Sequence, residues 1–88
     1  MDSTSIYQLF ERLRSNTIVS VDIAKDILQF ILDRKGQDSE SLHLLEDELA
    51  QKFIQNLAEE LITNLDTIKN ISKIIKQINK TDFDRWYA

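Results

Sequence analysis

The sequence predicts an all-α protein, a small antiparallel bundle of about four helices with a short turn at the C-terminal end. Its 88 residues include one glycine, Gly36, and no proline. Few β folds could form their turns with so little glycine and proline, whereas helix interiors need neither residue. Apolar residues also recur every three or four positions, which is the spacing of one helix face. The length allows one domain, which we expect to span residues 1–88.

The first two helices are expected on either side of the polar segment 15–17. Ser3 or Ser5 would cap the first helix, and Ser20 is a good cap for the second. Gly36 suits the left-handed position that closes a helix. The first helix has four apolar residues at helical spacing: Ile6, Leu9, Phe10 and Leu13. The inward stripe of the second consists of Ile23, Ile27, Phe30 and Ile31.

A third and longest helix should follow within two or three residues, capped by Asp38 or Ser39, and run antiparallel to the second. Its stripe consists of leucines and one phenylalanine: Leu42, Leu45, Leu49, Phe53, Leu57 and Leu61. Smaller or branched residues lie beside that stripe: Ala50, Ile54 and Ala58.

The segment 63–66 leaves two architectures open. Thr63, Asn64, Leu65 and Asp66 resemble a capping box that would begin a fourth helix. The apolar period, however, continues through this segment in steps of three and four, with Asn64 at a seam position. The alternative is therefore a helical hairpin whose long third helix, over about 39–79, forms a coiled-coil dimer. We favour the break, because Thr, Asn and Asp together make a poor helix interior.

Charge is distributed unevenly along the chain. Residues 1–66 contain 13 acidic and 6 basic residues, whereas residues 67–88 contain 5 basic and 2 acidic ones. Four lysines lie along one face of the predicted fourth helix, at steps of four, three and four: Lys69, Lys73, Lys76 and Lys80. Isoleucines occupy the other side: Ile68, Ile71, Ile75 and Ile78. Such a basic amphipathic helix can bind an acidic protein groove, nucleic-acid phosphates or anionic membrane, or it can simply pack on a core.

The C-terminal tip carries Phe83, Arg85, Trp86 and Tyr87. Clustered aromatic side chains often anchor interfaces. They could equally fold back and close the open end of the bundle. We therefore treat these four residues, with the four lysines, as the candidate partner-binding residues.

The residues predict no catalytic, cofactor-binding or metal-binding site. Cysteine is absent, and one glycine cannot build a phosphate-binding loop. His43 is the only histidine, and we expect it to be an exposed or half-buried helix residue. Glu46, Asp47 and Glu48 are consecutive, so a helix would point them in different directions and keep them from forming a compact acid pair.

The sequence therefore favours a small non-enzymatic protein-interaction module, such as an adaptor, an inhibitor or immunity-type protein, or a complex subunit. Its partner would be another protein, and a homodimer is also open. The alternative is a dimeric nucleic-acid-binding regulator or a peripheral membrane protein that uses the basic face of 67–80. We favour neither nucleic acid nor membrane. Four lysines without arginine or interleaved aromatic residues are weak evidence for DNA binding, and the negative remainder of the chain argues against it. No apolar run reaches membrane-span length, so we expect a cytoplasmic location.

Overall fold

The computed structural model describes residues 5–34 and 39–80, and this part of the chain forms four α-helices and no strand. The helices are α1 (Ile6–Ser15), α2 (Val21–Arg34), α3 (Ser39–Ala58) and α4 (Leu65–Lys80). The predicted four-helix bundle is thus confirmed. The expected C-terminal turn, Gly36 and the possible caps Ser3 and Asp38 lie outside the described residues.

Serine caps begin the first two helices, as the sequence predicts. At α1, the Ser5 hydroxyl accepts from the Gln8 amide while the Gln8 side chain accepts from the Ser5 amide at 2.9 Å, a complete capping box. At α2, the Ser20 hydroxyl accepts from the Ile23 amide at 3.2 Å. Each cap satisfies an amide that has no partner inside its own helix.

A Schellman motif ends α3 and separates it from α4. The Leu61 amide donates to the Asn56 carbonyl at 2.9 Å, and the Glu60 amide donates to the Leu57 carbonyl at 3.1 Å. Glu60 occupies the left-handed region with φ 58°. Helix α4 then begins behind Asn64, whose side chain accepts from the Thr67 amide at 2.9 Å.

The break between α3 and α4 makes the alternative of one helix over 39–79 wrong, and with it the coiled-coil seam through Asn64. The cap is Asn64 rather than Thr63, one position later than the capping-box pattern suggests. The helix ends here although the apolar spacing continues. The Schellman motif and the Asn64 cap stabilise the break, because they provide hydrogen-bond partners for backbone groups that a helix end leaves unpaired.

One apolar core joins all four helices. Helix α2 packs most extensively on α4, and α1 packs most extensively on α3. Among the four helices, α1 and α4 are the pair without contact. The core consists of buried aliphatic side chains and two phenylalanines: Leu9, Leu13, Val19, Ile23, Ala24, Ile27, Phe30, Ile31, Leu42, Leu45, Leu49, Phe53, Ile62, Ile71, Ile74 and Ile78.

The inward face of α3 differs from the predicted stripe near its C-terminal end. The first four stripe residues are buried as expected: Leu42, Leu45, Leu49 and Phe53. Beside the stripe, Ile54 is 64% exposed and Ala58 is exposed. Leu61 lies beyond the end of the helix and is also exposed. Asn56 takes the inward position instead and is only 2% exposed.

Asn56 is buried because its amide group fastens the α1–α2 connection to α3. Its side-chain oxygen accepts from the Val19 amide at 2.8 Å, and its side-chain nitrogen donates to the Thr17 carbonyl at 3.0 Å. The Lys52 ammonium, one turn earlier, donates to the Leu13 carbonyl. Two polar side chains of α3 therefore satisfy backbone groups at the end of α1 and in the following connection, as buried polar groups require.

Candidate interaction surfaces

Helix α4 presents its four lysines to solvent. All members of this lysine face (Lys69, Lys73, Lys76 and Lys80) are exposed. None of their ammonium groups forms an ion pair with a carboxylate of the residues that the structure describes. Asp66 is the only acidic residue of α4. The lysine face is therefore a continuous positive strip on an otherwise acidic molecule.

The opposite side of α4 is used inside the fold. Ile71 and Ile78 are fully buried, and Ile68 and Ile75 pack against the core with part of their surface exposed. Ile74, which the predicted isoleucine set omits, is also buried. The apolar side of this amphipathic helix is consequently occupied by the rest of the bundle, and the lysine face is the side that stays accessible.

The second predicted contact region, the aromatic tip with Phe83, Arg85, Trp86 and Tyr87, lies outside the described residues. Its placement beside the lysine face remains a prediction from the sequence.

His43 is buried, not exposed or half-buried as expected. It is 8% exposed, and its Nδ1 lies 3.3 Å from Oε1 of Glu46, which is 4% exposed. The two side chains are three positions apart on α3, so they lie on the same face of the helix. Sequence reasoning missed this burial because polar residue types at a helix start are usually solvated.

The acidic residues of α3 point apart, as their consecutive positions predict. Glu46 is buried, Asp47 is exposed, and Glu48 reaches across to α1. Within residues 5–34 and 39–80, no three histidine or acidic side chains come together in a way that could hold a metal ion.

A groove lies between α1 and α3. The two helices run parallel, since Arg14 bonds to Glu48 and Thr17, further along the chain, bonds to Asn56. The groove is open to solvent and has a volume of about 680 Å³. Three apolar or aromatic and four polar side chains line this α1–α3 groove: Tyr7, Phe10, Leu44, Gln8, Glu11, Arg14 and Glu48. Tyr7 is 80% exposed and Leu44 is 56% exposed, so two large apolar side chains face solvent in one depression.

Arg14 links the two helices that form the α1–α3 groove. Its guanidinium donates two hydrogen bonds to the Glu48 carboxylate, at 3.2 and 2.7 Å, a bidentate pair. The same group lies 5.0 Å from the centre of the Phe10 ring. The hydrogen bonds that Arg14 donates to Glu48, together with the negative charge of Glu48, raise the pKa of Arg14 above its ordinary value.

No protein-family model matches the chain, and comparisons with curated proteins and with solved structures found no match either. Within the described residues, no helix is both long enough and apolar enough to cross a membrane. The surfaces themselves must therefore carry any argument about function.

The α1–α3 groove was not predicted from the sequence. Tyr7 lies next to the apolar positions of α1, and Leu44 lies within the leucine-rich part of α3. The sequence did contain a signal for this groove: Tyr7 and Leu44 are large apolar residues that fall outside the main apolar stripes of their helices. Only the parallel packing of α1 on α3, which the sequence does not specify, brings the two side chains to one place.

Proposed function

We propose that this chain is a non-enzymatic helical interaction module whose lysine face binds an acidic surface on another protein. The lysine face carries this proposal, because it is exposed and forms no ion pair within the described part of the chain. Its four charges lie in a row on a rigid helix whose opposite side is anchored in the core. A partner with matching carboxylates would gain electrostatic complementarity without a change in the fold.

The burial of the isoleucine side favours a protein partner over a membrane. An amphipathic helix that binds bilayers must place its apolar side among the acyl chains. In this chain that would require α4 to leave α2, exposing side chains such as Ile71 and Ile78. Binding to an acidic protein surface would use only the exposed lysines and would leave α4 packed in the bundle.

The test compares one lysine of the strip with one lysine elsewhere. Lys73→Glu reverses a charge at the middle of the lysine face, and Lys25→Glu makes the same change on the exposed side of α2. Immobilised wild-type chain should recover a partner from lysate at physiological salt. We expect Lys73→Glu to weaken binding of the recovered partner about tenfold and Lys25→Glu to change it by less than about twofold, since like charges in contact repel.

Equal effects of the two substitutions would argue against the lysine face, and recovery of no protein would argue against an interaction module. The two alternatives are read from parallel assays. Binding of duplex DNA at about 50 mM salt that falls steeply with added salt would support a nucleic-acid regulator. Flotation with vesicles that depends on anionic lipid would support membrane binding.

A further inference from the structure

We infer that the α1–α3 groove is a second docking site, which accepts an amphipathic helix with basic residues from a protein partner. This surface is separate from the lysine face, because all of its lining residues lie on α1 and α3 and none lies on α4. If both surfaces bind, the chain would connect two proteins of opposite charge.

The apolar part of the groove is suited to an inserted side chain. Tyr7 and Leu44 leave most of their surface in water although they line one depression. Neighbouring Phe10 is partly buried and packs against the core, so it provides a fixed wall. Aromatic and leucine side chains exposed at a concave site are typical anchors for a helix bound in a groove.

The groove and the surface beside it carry an excess of carboxylates, which favours a basic partner. Glu11 lines it and is exposed. Glu40 and Asp47 are exposed too, and they lie four residues before and three residues after Leu44, on the same face of α3. The only lining cation, Arg14, is already paired with Glu48. Lysine or arginine side chains of a bound helix would therefore meet Glu11 inside the groove, with Glu40 and Asp47 beside it, and none of these carboxylates forms an ion pair with the described residues.

The groove is also held in shape before any partner arrives. The Arg14–Glu48 pair joins α1 to α3, and the Lys52 bond to the Leu13 carbonyl joins them again one turn further on. A surface that is already ordered loses little conformational entropy on binding.

The experiment uses a synthetic, fluorescently labelled peptide of about 16 residues, with leucines at helical spacing and lysines elsewhere, as a helix-in-groove ligand requires. Its Kd for the full chain is measured by anisotropy. The test variant is Tyr7→Ala with Leu44→Ala. The control is Ile54→Ala with Leu65→Ala, which removes two side chains that are similarly exposed, at 64% and 61%. Both variants change exposed residues, and circular dichroism checks that each one folds.

We expect the Kd to rise at least about tenfold in the groove variant and less than about twofold in the control, because buried anchor residues dominate such interfaces. A peptide with glutamate in place of lysine should not bind. The inference would be overturned by equal losses in the two variants, by equal binding of the glutamate peptide, or by no saturable binding. A dimer in solution that the groove variant abolishes would assign the groove to a second copy and would also overturn it.

This test is independent of the proposed use of the lysine face. Lys73→Glu should leave the Kd of the basic peptide within about twofold of wild type, because it lies outside the groove. If the groove fails this test, the proposal that the lysine face of α4 binds a partner is unaffected. If the lysine face fails its own test, the inference about the groove is likewise unaffected.

Discussion

Asn56 shows how one polar side chain can define a connection between helices. Its amide group satisfies both the Val19 amide and the Thr17 carbonyl from a position that is almost fully buried. An apolar residue at position 56 would fit the core but leave these backbone groups without their partner. The cost of such an unpaired group exceeds the small net value of the hydrogen bond itself.

We therefore expect Asn56→Ala to lower the free energy of unfolding by about 1–3 kcal/mol. Gln55→Ala is the matched control, since Gln55 is exposed and bonds only to exposed Glu59. Urea unfolding followed by circular dichroism measures both variants. A loss for Asn56→Ala no larger than that of the control would contradict the role assigned to the Asn56 amide.

Glu60 is the described non-glycine residue with a positive φ, and it holds the position that glycine usually takes in a Schellman motif. Glu60→Gly should raise the free energy of unfolding by about 0.5–1 kcal/mol, because glycine adopts this conformation without a Cβ clash. Glu59→Gly removes the neighbouring carboxylate without relieving a left-handed residue, so it should not stabilise the chain. Thermal unfolding of the two variants distinguishes these expectations.

At the scale of elements, the capping box of α1 is the clearest local signal that the structure preserves. Ser5→Ala removes the hydroxyl that accepts from the Gln8 amide, so we expect a loss of about 0.5–2 kcal/mol. Ser15→Ala, at the other end of the same helix, is the control and should cost less. Chemical denaturation that shows equal stability for the two variants would contradict the importance of this cap.

The helices were predictable because each has its own local signal. Ser20 caps α2, and Asn64 caps α4. The composition also excluded most alternatives to helix. Which helices pack against each other could not be predicted from the sequence. The burial of His43 and Asn56 and the exposure of Ile54 depend on that packing, and so does the α1–α3 groove. Periodicity identifies an apolar face but does not specify the neighbour that covers it.

At the scale of the whole molecule, the core is complete within a single chain, because each helix buries its main apolar face against the others. We therefore expect the purified chain to unfold at a midpoint that does not change when protein concentration rises about tenfold, since only an oligomer shows that dependence. Thermal scans at the two concentrations provide the measurement. A midpoint that rises with concentration would show that the homodimer left open by the sequence contributes to stability.

The parallel pairing of α1 with α3 has a consequence for the order of folding. The bonds that anchor α1 and its connection span 34 residues from Arg14 to Glu48, 37 from Val19 to Asn56 and 39 from Leu13 to Lys52. Contacts this distant in sequence require a long loop to close first. During synthesis, which proceeds from the N-terminus to the C-terminus, α1 leaves the ribosome before α3. It acquires its full set of anchors only after the chain has emerged as far as Asn56.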